Sequence, residues 1–290
     1  MRICVFEADG KHHIGVVVDG RLYSLVEAFT NKGIPLPATG EALLSDPDAT
    51  RLAQSALNSG HIAAPSFALD AVRVRPPSRP SKIVAVGLNY RQHVAESGLK
   101  MPKEPVIFAK FPSSISGPFD PIIIPRENPN VDWEVEFAVV IGRRGKRIPL
   151  SNAMEYVAGY VVLNDVSARA FQFQDKQWTR AKSCDTFTPF GPFLVTPDEI
   201  PDPHALRVTS RVNGQTMQDD NTSNLIFRVP ELISFISATI TLEPGDVIAT
   251  GTPDGVGAFR NPPIYLKPGD VVEVEVEGIG TLRNPVVAEL

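Results

Sequence analysis

The sequence predicts an α+β protein that is predominantly β, with a mixed β-sandwich roll, few short helices and a small N-terminal β-rich domain. Three observations lead to this prediction. Many short apolar runs have the length and the β-branched composition of strands. The 27 prolines and 21 glycines are spread along the chain, which favours short elements joined by turns. A chain of 290 residues can bury a large core without disulfides or a structural metal.

The N-terminal region predicts a small domain of strands and one helix. The first 25 residues alternate short apolar runs with turn residues, as in a β-meander. Residues 45–60 have early acids, apolar positions at helical spacing and a closing glycine, Gly60, and so predict a helix.

A proline-rich stretch at 73–81 is typical of a boundary or a linker, so we predict two domains, 1–76 and 77–290. The second domain is rich in predicted strands. Two similar turns, EPGD at 243–246 and KPGD at 267–270, each introduce one of them. The predicted strands are KIVAVG, PVIFAKF, PIIIP, WEVEFAVVIG, YVAGYVVLND, PFLVT, LRVTSRVNG, DVIATG and DVVEVEVEG.

Helices are predicted to be few in this domain. GLNYRQHVAESG predicts a two-turn helix near residues 90–97, with Asn89 as its N-cap, Gln92 three residues later and Gly98 at its end. Two more helices are predicted, around Ala168 to Gln174 and from Pro230.

Composition and charge exclude several functional classes. The net charge is -5 and no basic run occurs, so a nucleic-acid partner is not expected. No apolar stretch of about 18 residues and no signal-like N-terminus occur, so we expect a cytoplasmic protein without a membrane partner. Cys4 and Cys184 form no CxxC pair, which argues against a zinc site or a disulfide framework.

The stretch VDWEVEFAVVIG, residues 131–142, is an unusually acidic predicted strand. Alternation places Asp132, Glu134 and Glu136 on one face. A solvated sheet face would explain such alternation, but the continuation AVVIG is apolar on both faces, as in a covered strand. Asp165 ends another apolar strand, where a carboxylate must be paired or coordinated.

Glu134, Glu136 and Asp165 together predict a metal site. Carboxylates without histidine or cysteine suit a hard cation rather than zinc. We therefore predict Mg²⁺, with Mn²⁺ or Ca²⁺ as alternatives.

Several motifs resemble those of the fumarylacetoacetate hydrolase superfamily. They are Glu134-x-Glu136, LNDVSARAFQ with Asp165, GLNYRQHVAESG, AKSCDTFTPFGP and ATGTPDGVG, in order over about residues 80–285. The resemblance implies the fold of that superfamily, a small 2-oxo carboxylate as substrate and a homodimer. The N-terminal module is similar to that of longer bacterial members. Because the family motif starts at Glu134, Asp132 is expected at the pocket rim or in solvent.

The resemblance also implies catalytic residues. His93 and Glu96, spaced i and i+3, share a helix face, where an exposed ion pair is the plain alternative. In the family's hydrolases such a pair lies on a mobile lid helix and activates water. Lys182 is similar to a family lysine that reaches the substrate, where an ammonium stabilises an oxyanion.

Four further residues are predicted to bind substrate. By resemblance, Arg169 and Gln172 bind its carboxylate and oxo groups, and Lys110 lies near the site. The glycine-rich GTPDGVG at 251–257 lacks the GK[ST] of a P-loop, so nucleotide binding is not expected. Its backbone N–H groups and the Thr252 hydroxyl can cradle a carboxylate, and a plain hairpin turn is the alternative.

We therefore predict a metal-dependent hydrolase that cleaves a C–C bond in a 2,4-dioxo acid, such as an acylpyruvate or a sugar-derived diketo acid, through a metal-bound enolate. Three alternatives stay open. The same metal and lysine serve an oxaloacetate decarboxylase, and proton transfer alone serves a keto–enol or double-bond isomerase of 2-hydroxymuconate-type intermediates. A non-catalytic, metal-dependent binding protein is the fourth possibility.

Overall fold

The computed structural model describes residues 1–58 and 66–290 and confirms an α+β fold that is mostly β. The strands are β1 (Arg2–Ala8), β2 (Lys11–Val18), β3 (Arg21–Ser24), β4 (Ser66–Phe67), β5 (Arg73–Arg75), β6 (Ile83–Gly87), β7 (Val106–Lys110), β8 (Ile115–Ser116), β9 (Ile122–Ile124), β10 (Val131–Asp132), β11 (Val135–Ile141), β12 (Val157–Asn164), β13 (Ser167–Ala168), β14 (Thr188–Val195), β15 (Arg207–Val212), β16 (Gln215–Asn221), β17 (Val247–Ala249), β18 (Val271–Val276) and β19 (Gly280–Ala288). The helices are α1 (Val26–Lys32), α2 (Gly40–Ser45), α3 (Pro47–Asn58), α4 (Arg91–Ser97), α5 (Arg169–Asp175), α6 (Thr179–Lys182) and α7 (Val229–Thr239). Short 3-10 helices cover Leu69–Ala71, Pro112–Ser114, Leu150–Tyr156, Pro197–Glu199 and Thr222–Asn224.

Two mixed sheets organise the described part of the chain. The larger has twelve strands in the order β4-β3-β2-β1-β14-β12-β11-β17-β6-β7, with β5 beside β1 and β8 beside β14. The smaller has the order β16-β15-β18-β19-β9, and β10 pairs with β13 in a separate ribbon. Most pairs are antiparallel, whereas β17 with β6, β14 with β8 and β19 with β9 are parallel.

Strand β11 lies between two apolar layers. Phe137 and Val139 belong to one buried cluster with Val208 and Val274 of the smaller sheet. Ala138 and Val140, which point the other way, share a second cluster with residues of α1, α2 and α3. Both faces of the strand are therefore covered, as the apolar run AVVIG predicts.

The N-terminal meander is confirmed, and its strands extend the large sheet. In the antiparallel β1–β14 pair, Ile3 lies opposite Leu194. The first residues of the proline-rich stretch form β5, which pairs with β1. The division into domains at residue 76 stays a prediction.

Helix prediction in the N-terminal region was only partly successful. The predicted helix at 45–60 is confirmed as α3, and Gly60 lies outside the described residues. Helices α1 and α2 were not predicted, because one or two turns give too little periodicity to detect. Within residues 1–58 and 66–290, no helix combines the length and apolarity needed to cross a bilayer.

The two PGD turns are confirmed. Gly245 has φ +88 and Gly269 has φ +98, values that favour glycine. In each turn the fourth residue donates to the carbonyl of the first, over 3.1 Å in the turn before β17 and 3.0 Å in the turn before β18.

Helix α4 forms as predicted, but its predicted N-cap is wrong. Gly98 closes the helix with φ +68, whereas the N-cap is Tyr90 and no side chain caps the helix there. The Asn89 side chain instead donates to the carbonyls of Thr250 (2.7 Å) and Phe227 (3.0 Å) and accepts from the Phe227 amide (2.8 Å). Tertiary contacts with chain segments far along the sequence displace the local cap.

We expect Asn89→Ala to lower the free energy of unfolding by about 3 kcal/mol, because three backbone groups, one buried and two partly buried, lose their hydrogen-bond partner. Urea unfolding followed by circular dichroism measures the change. Gln92→Ala, at an exposed position of the same helix, is the control. Equal losses from both substitutions would support the local capping interpretation instead.

Candidate active site

Three buried carboxylates converge where β11 and β12 pair. Glu134 immediately precedes β11, Glu136 lies within it, and Asp165 directly follows β12. Val135 is paired with Asn164, and the Asp165 amide donates to the Glu134 carbonyl over 2.9 Å. One carboxylate oxygen from each acid lies within 4.8 Å of those from the other two. The structure thus brings together the three acids predicted as metal ligands.

Buried cations neutralise two of these acids. Lys182 Nζ lies 2.7 Å from Glu134 Oε2 and 2.8 Å from Asp165 Oδ2. Lys110 Nζ lies 2.5 Å from Asp165 Oδ1, and Arg169 lies 2.8 Å from Glu134 Oε1. Burial opposes the charge on Glu134, yet Lys182 and Arg169 hold its pKa below the usual value. Burial also opposes the charge on Lys182, but Asp165 and Glu134 raise its pKa.

Glu136 differs from its neighbours because it has no cationic partner among the described residues. It is 2% exposed, and Oε2 accepts a hydrogen bond from the Gly251 amide over 2.9 Å. Burial, and then the nearby charges of Asp165 and Glu134, raise its pKa well above the usual value. The cluster therefore carries an uncompensated acid, and its all-oxygen donor set fits a hard divalent cation.

Asp132 is fully buried, so the expectation that it lies at the pocket rim or in solvent is wrong. Its Oδ2 accepts from Arg169 Nε and from the Ala258 amide, each over 2.9 Å, and its Oδ1 accepts from the Gly257 amide over 2.7 Å. Alternation along the strand had already grouped Asp132 with Glu134 and Glu136. The predicted strand is in fact interrupted between Asp132 and Val135, and Asp132 is not one of the three converging acids, in agreement with its omission from the predicted ligands.

Arg169, predicted to bind substrate, has several partners within the protein. Besides its contacts with Asp132 and Glu134, its NH1 group donates to Gln172 Oε1 over 2.8 Å. Both residues lie on α5, one turn apart, as predicted. The guanidinium therefore has a fixed position at the cavity wall.

The glycine-rich segment 251–257 forms a loop between β17 and β18 rather than a hairpin, because these two strands do not pair with each other. Its amides bind carboxylates of the chain itself. Gly251 donates to Glu136, Gly255 to Glu96 and Gly257 to Asp132. The loop was predicted to bind a carboxylate, and in this structure its amides bind carboxylates of the protein itself.

His93 and Glu96 lie on α4, but they are not joined by a hydrogen bond. Glu96 Oε2 accepts from the Gly255 amide over 2.6 Å, while Glu96 Oε1 and His93 Nδ1 have no partner within the described residues. Burial lowers the pKa of His93 to about 4, against the opposite influence of Glu134. The imidazole is therefore neutral at pH 7.

A cavity of about 250 Å³ connects these groups. Glu96 and Lys110 do not line it. The predicted residues that do line it are His93, Glu134, Glu136, Asp165, Arg169, Gln172, Lys182 and Thr252. Their predicted roles stay predictions, but the structure places them around one space.

An apolar wall of this cavity was missed by the sequence analysis. Phe108, Trp178 and Phe259 line it, and the rings of Phe108 and Trp178 meet edge to face with centroids 5.3 Å apart. Trp178 packs directly on Gly87, where an added Cβ would lie 2.2 Å from the indole ring. The only sequence signal for this wall was Gly87, the glycine that ends β6. A glycine in a strand indicates that another group packs closely against the backbone, but it does not show which group that is.

Comparison with known proteins places this arrangement in a family. Residues 82–287 match the fumarylacetoacetate (FAA) hydrolase C-terminal family. The mitochondrial oxaloacetate tautomerase FAHD2A of Bos taurus is 53% identical over 214 residues, which are 73% of this chain and 68% of that protein. The structure of fumarylacetoacetate hydrolase from Exiguobacterium antarcticum has a TM-score of 0.85 at 38% identity, and covers 100% of both chains. That of 5-carboxymethyl-2-hydroxymuconate delta-isomerase from Mycobacterium smegmatis has a TM-score of 0.77 at 37% identity, with the same coverage. Because the family match spans the acidic cluster, helix α4 and the glycine-rich loop, the chain belongs to the fumarylacetoacetate hydrolase family.

Proposed function

We propose that the protein is a divalent-cation-dependent tautomerase that interconverts the keto and enol forms of a 2-oxo dicarboxylic acid such as oxaloacetate. The observation that carries the proposal is the buried cluster of Glu134, Glu136 and Asp165, which shares one cavity with a neutral His93. The 53% identity to a protein named as an oxaloacetate tautomerase supports the substrate class.

The three acids would hold the cation, preferably Mg²⁺ or Mn²⁺. A cation bound there supplies Lewis-acid polarisation of a 2-oxo group and so lowers the free energy of an adjacent enolate. Lys182, whose pKa is raised by the neighbouring carboxylates, keeps its proton and adds a positive charge at the cavity floor. Positive charge fixed in a dry cavity stabilises the enolate more strongly than it would in water.

His93 is the candidate proton carrier. Its neutral imidazole takes the proton from carbon 3 of the keto acid, and return of that proton to the enolate oxygen gives the enol and regenerates the imidazole. With a pKa lowered to about 4, the imidazole is unprotonated at neutral pH, as a general base must be.

Hydrolysis of a 2,4-dioxo acid is the second candidate. The observation that favours it is the presence of His93 and Glu96 on one helix, each with an unpartnered buried atom within the described residues. A water held between these atoms would be activated for attack on the distant carbonyl. Against this candidate, Glu96 makes no hydrogen bond to His93 and so does not strengthen the base in this arrangement.

The reactions can be separated with three substrates in the presence of Mg²⁺ or Mn²⁺. Ketonisation of enol-oxaloacetate is followed by ultraviolet absorbance, and NMR detects pyruvate released from oxaloacetate or from acylpyruvates. We expect acceleration of ketonisation to exceed both bond-breaking reactions. Turnover of acylpyruvates without any acceleration of ketonisation would establish the hydrolase and refute the tautomerase.

We expect Glu136→Gln to abolish activity and stabilisation by the cation, while it stabilises the metal-free protein. The glutamine side chain still accepts a hydrogen bond from the Gly251 amide. The substitution also removes a buried carboxylate charge that lacks a cationic partner among the described residues. Cation at 100 times its dissociation constant should add about 2.7 kcal/mol to the unfolding free energy of the wild type and nothing to that of the variant.

Thermal unfolding with and without Mn²⁺ measures these effects, with the exposed Glu104→Gln as the control. Because the fold favours protonated Glu136, the stability of the metal-free wild type should also fall as the pH rises above the usual carboxyl pKa. This part of the pH dependence should be absent from Glu136→Gln. Normal Mn²⁺ stabilisation of the variant would refute the ligand assignment.

We expect the ketonisation rate to be constant around neutral pH and to decline only at acid pH, where His93, whose pKa is lowered by burial, becomes protonated. His93→Ala should reduce kcat by roughly 10²- to 10⁴-fold, remove this acid limb and leave Mn²⁺ binding intact. The pH–rate profiles of both proteins provide the measurement. An unchanged kcat in the variant would show that another group carries the proton.

A further inference from the structure

Gln218 is a buried side chain that connects the smaller sheet with the active-site loop. It lies on β16, is 1% exposed and makes four hydrogen bonds. Its Oε1 accepts from the Val135 amide (3.1 Å) and from Ser210 Oγ (2.9 Å). Its Nε2 donates to Thr252 Oγ1 (2.8 Å) and to the Pro253 carbonyl (2.9 Å). The amide therefore uses its full hydrogen-bonding capacity.

The orientation of this amide is fixed by two partners that each have a single role. The Val135 backbone N–H can only donate, so it requires the amide oxygen. The Pro253 carbonyl can only accept, so it requires the amide nitrogen. A flipped amide would face both groups with the wrong atom. Thr252 Oγ1, on the nitrogen side, must therefore act as the acceptor toward Gln218.

The Thr252 hydroxyl proton is consequently not shared with Gln218 and points away from it. A hydroxyl has one proton to donate, and within residues 1–58 and 66–290 no acceptor takes that of Thr252. Thr252 is 3% exposed and lines the cavity that contains the acidic cluster. The remaining direction for a donor is the cavity itself, where a bound anion would supply the acceptor.

We infer that Gln218 is a positioning residue, which makes the Thr252 hydroxyl an obligatory donor to a carboxylate oxygen of the substrate. Gln218 does not line the cavity and acts only through Thr252. The inference rests on the proposed function for the identity of the substrate, and it adds the group that recognises one end of it.

Gln218→Glu tests the inference with a side chain of nearly the same size. The ionised carboxylate accepts the Thr252 proton, so the hydroxyl no longer donates to the substrate, and the lost bond to the Pro253 carbonyl and the buried charge also lower stability. Loss of a hydrogen bond to a charged group should raise KM for the 2-oxo acid by roughly 10- to 100-fold with little change in kcat. Gln215→Glu, an exposed site on the same strand, should leave KM unchanged.

A double-mutant cycle separates action through Thr252 from a general structural effect. Thr252→Val should raise KM as much as Gln218→Glu does, Thr252→Ser should retain the wild-type value, and the double variant should be no worse than either single one. The two Thr252 variants test the donor even if Gln218→Glu folds poorly, which circular dichroism detects. Equal losses from Gln218→Glu in the wild-type and Thr252→Val backgrounds would overturn the inference.

Calorimetric binding of oxalate in the presence of Mn²⁺ distinguishes this inference from the proposed function, because oxalate is a planar dianion that does not react. Its affinity should fall by roughly 10- to 100-fold in Gln218→Glu and Thr252→Val and stay unchanged in Thr252→Ser and Gln215→Glu. This pattern without turnover of any 2-oxo acid would refute the tautomerase and support the role of Gln218. Equal affinity in all variants, or no binding to the wild type, would overturn the inference whatever the activity.

Discussion

The balance of buried charge is the constraint on which the site depends. Four carboxylates and three cations, each at most 5% exposed, are packed together: Asp132, Glu134, Glu136, Asp165, Lys110, Arg169 and Lys182. Four negative and three positive charges leave one negative charge in excess, and the ion pairs leave it on Glu136. A buried charge without a partner costs several kcal/mol, so the fold tolerates this acid only with a proton or a cation beside it.

The two-layer fold supplies the rigidity that such a balance needs. Strand β11 is covered on both faces, so the backbone that presents Glu136 cannot shift without disturbing two apolar clusters. The loop at 251–257 is fixed from three sides, because its amides bind Glu136, Glu96 and Asp132. A movement of this loop would alter the acidic cluster and helix α4 together.

Sequence reasoning succeeded where the physical signal is local. The apolar run AVVIG indicated the covered strand β11, and the glycine after α4 marked the end of that helix. It failed where a partner lies far along the chain. Asn89 was interpreted as a local cap, but its partner Phe227 is 138 residues away, and the Asp132 bond to Gly257 spans 125 residues. No local sequence pattern encodes such pairings. A short motif therefore shows that a polar residue is present but does not predict which distant group it will bond.

The basicity of His93 bears on the choice between the proposed reactions, and it depends on burial and on the charged groups around the imidazole. Glu96 accepts from the Gly255 amide and makes no hydrogen bond to His93, so burial dominates the basicity of His93 and its pKa stays at about 4. If the same carboxylate also accepted from His93 Nδ1, it would stabilise the imidazolium and raise the pKa toward the range in which water is activated. Only Oε2 of Glu96 is bonded to the Gly255 amide, so Oε1, which has no partner within the described residues, stays available for such a contact. The Gly255 amide therefore fixes the position of the Glu96 carboxylate without preventing a contact with His93, so the loop that binds Glu136 and Asp132 also positions this neighbour of the imidazole.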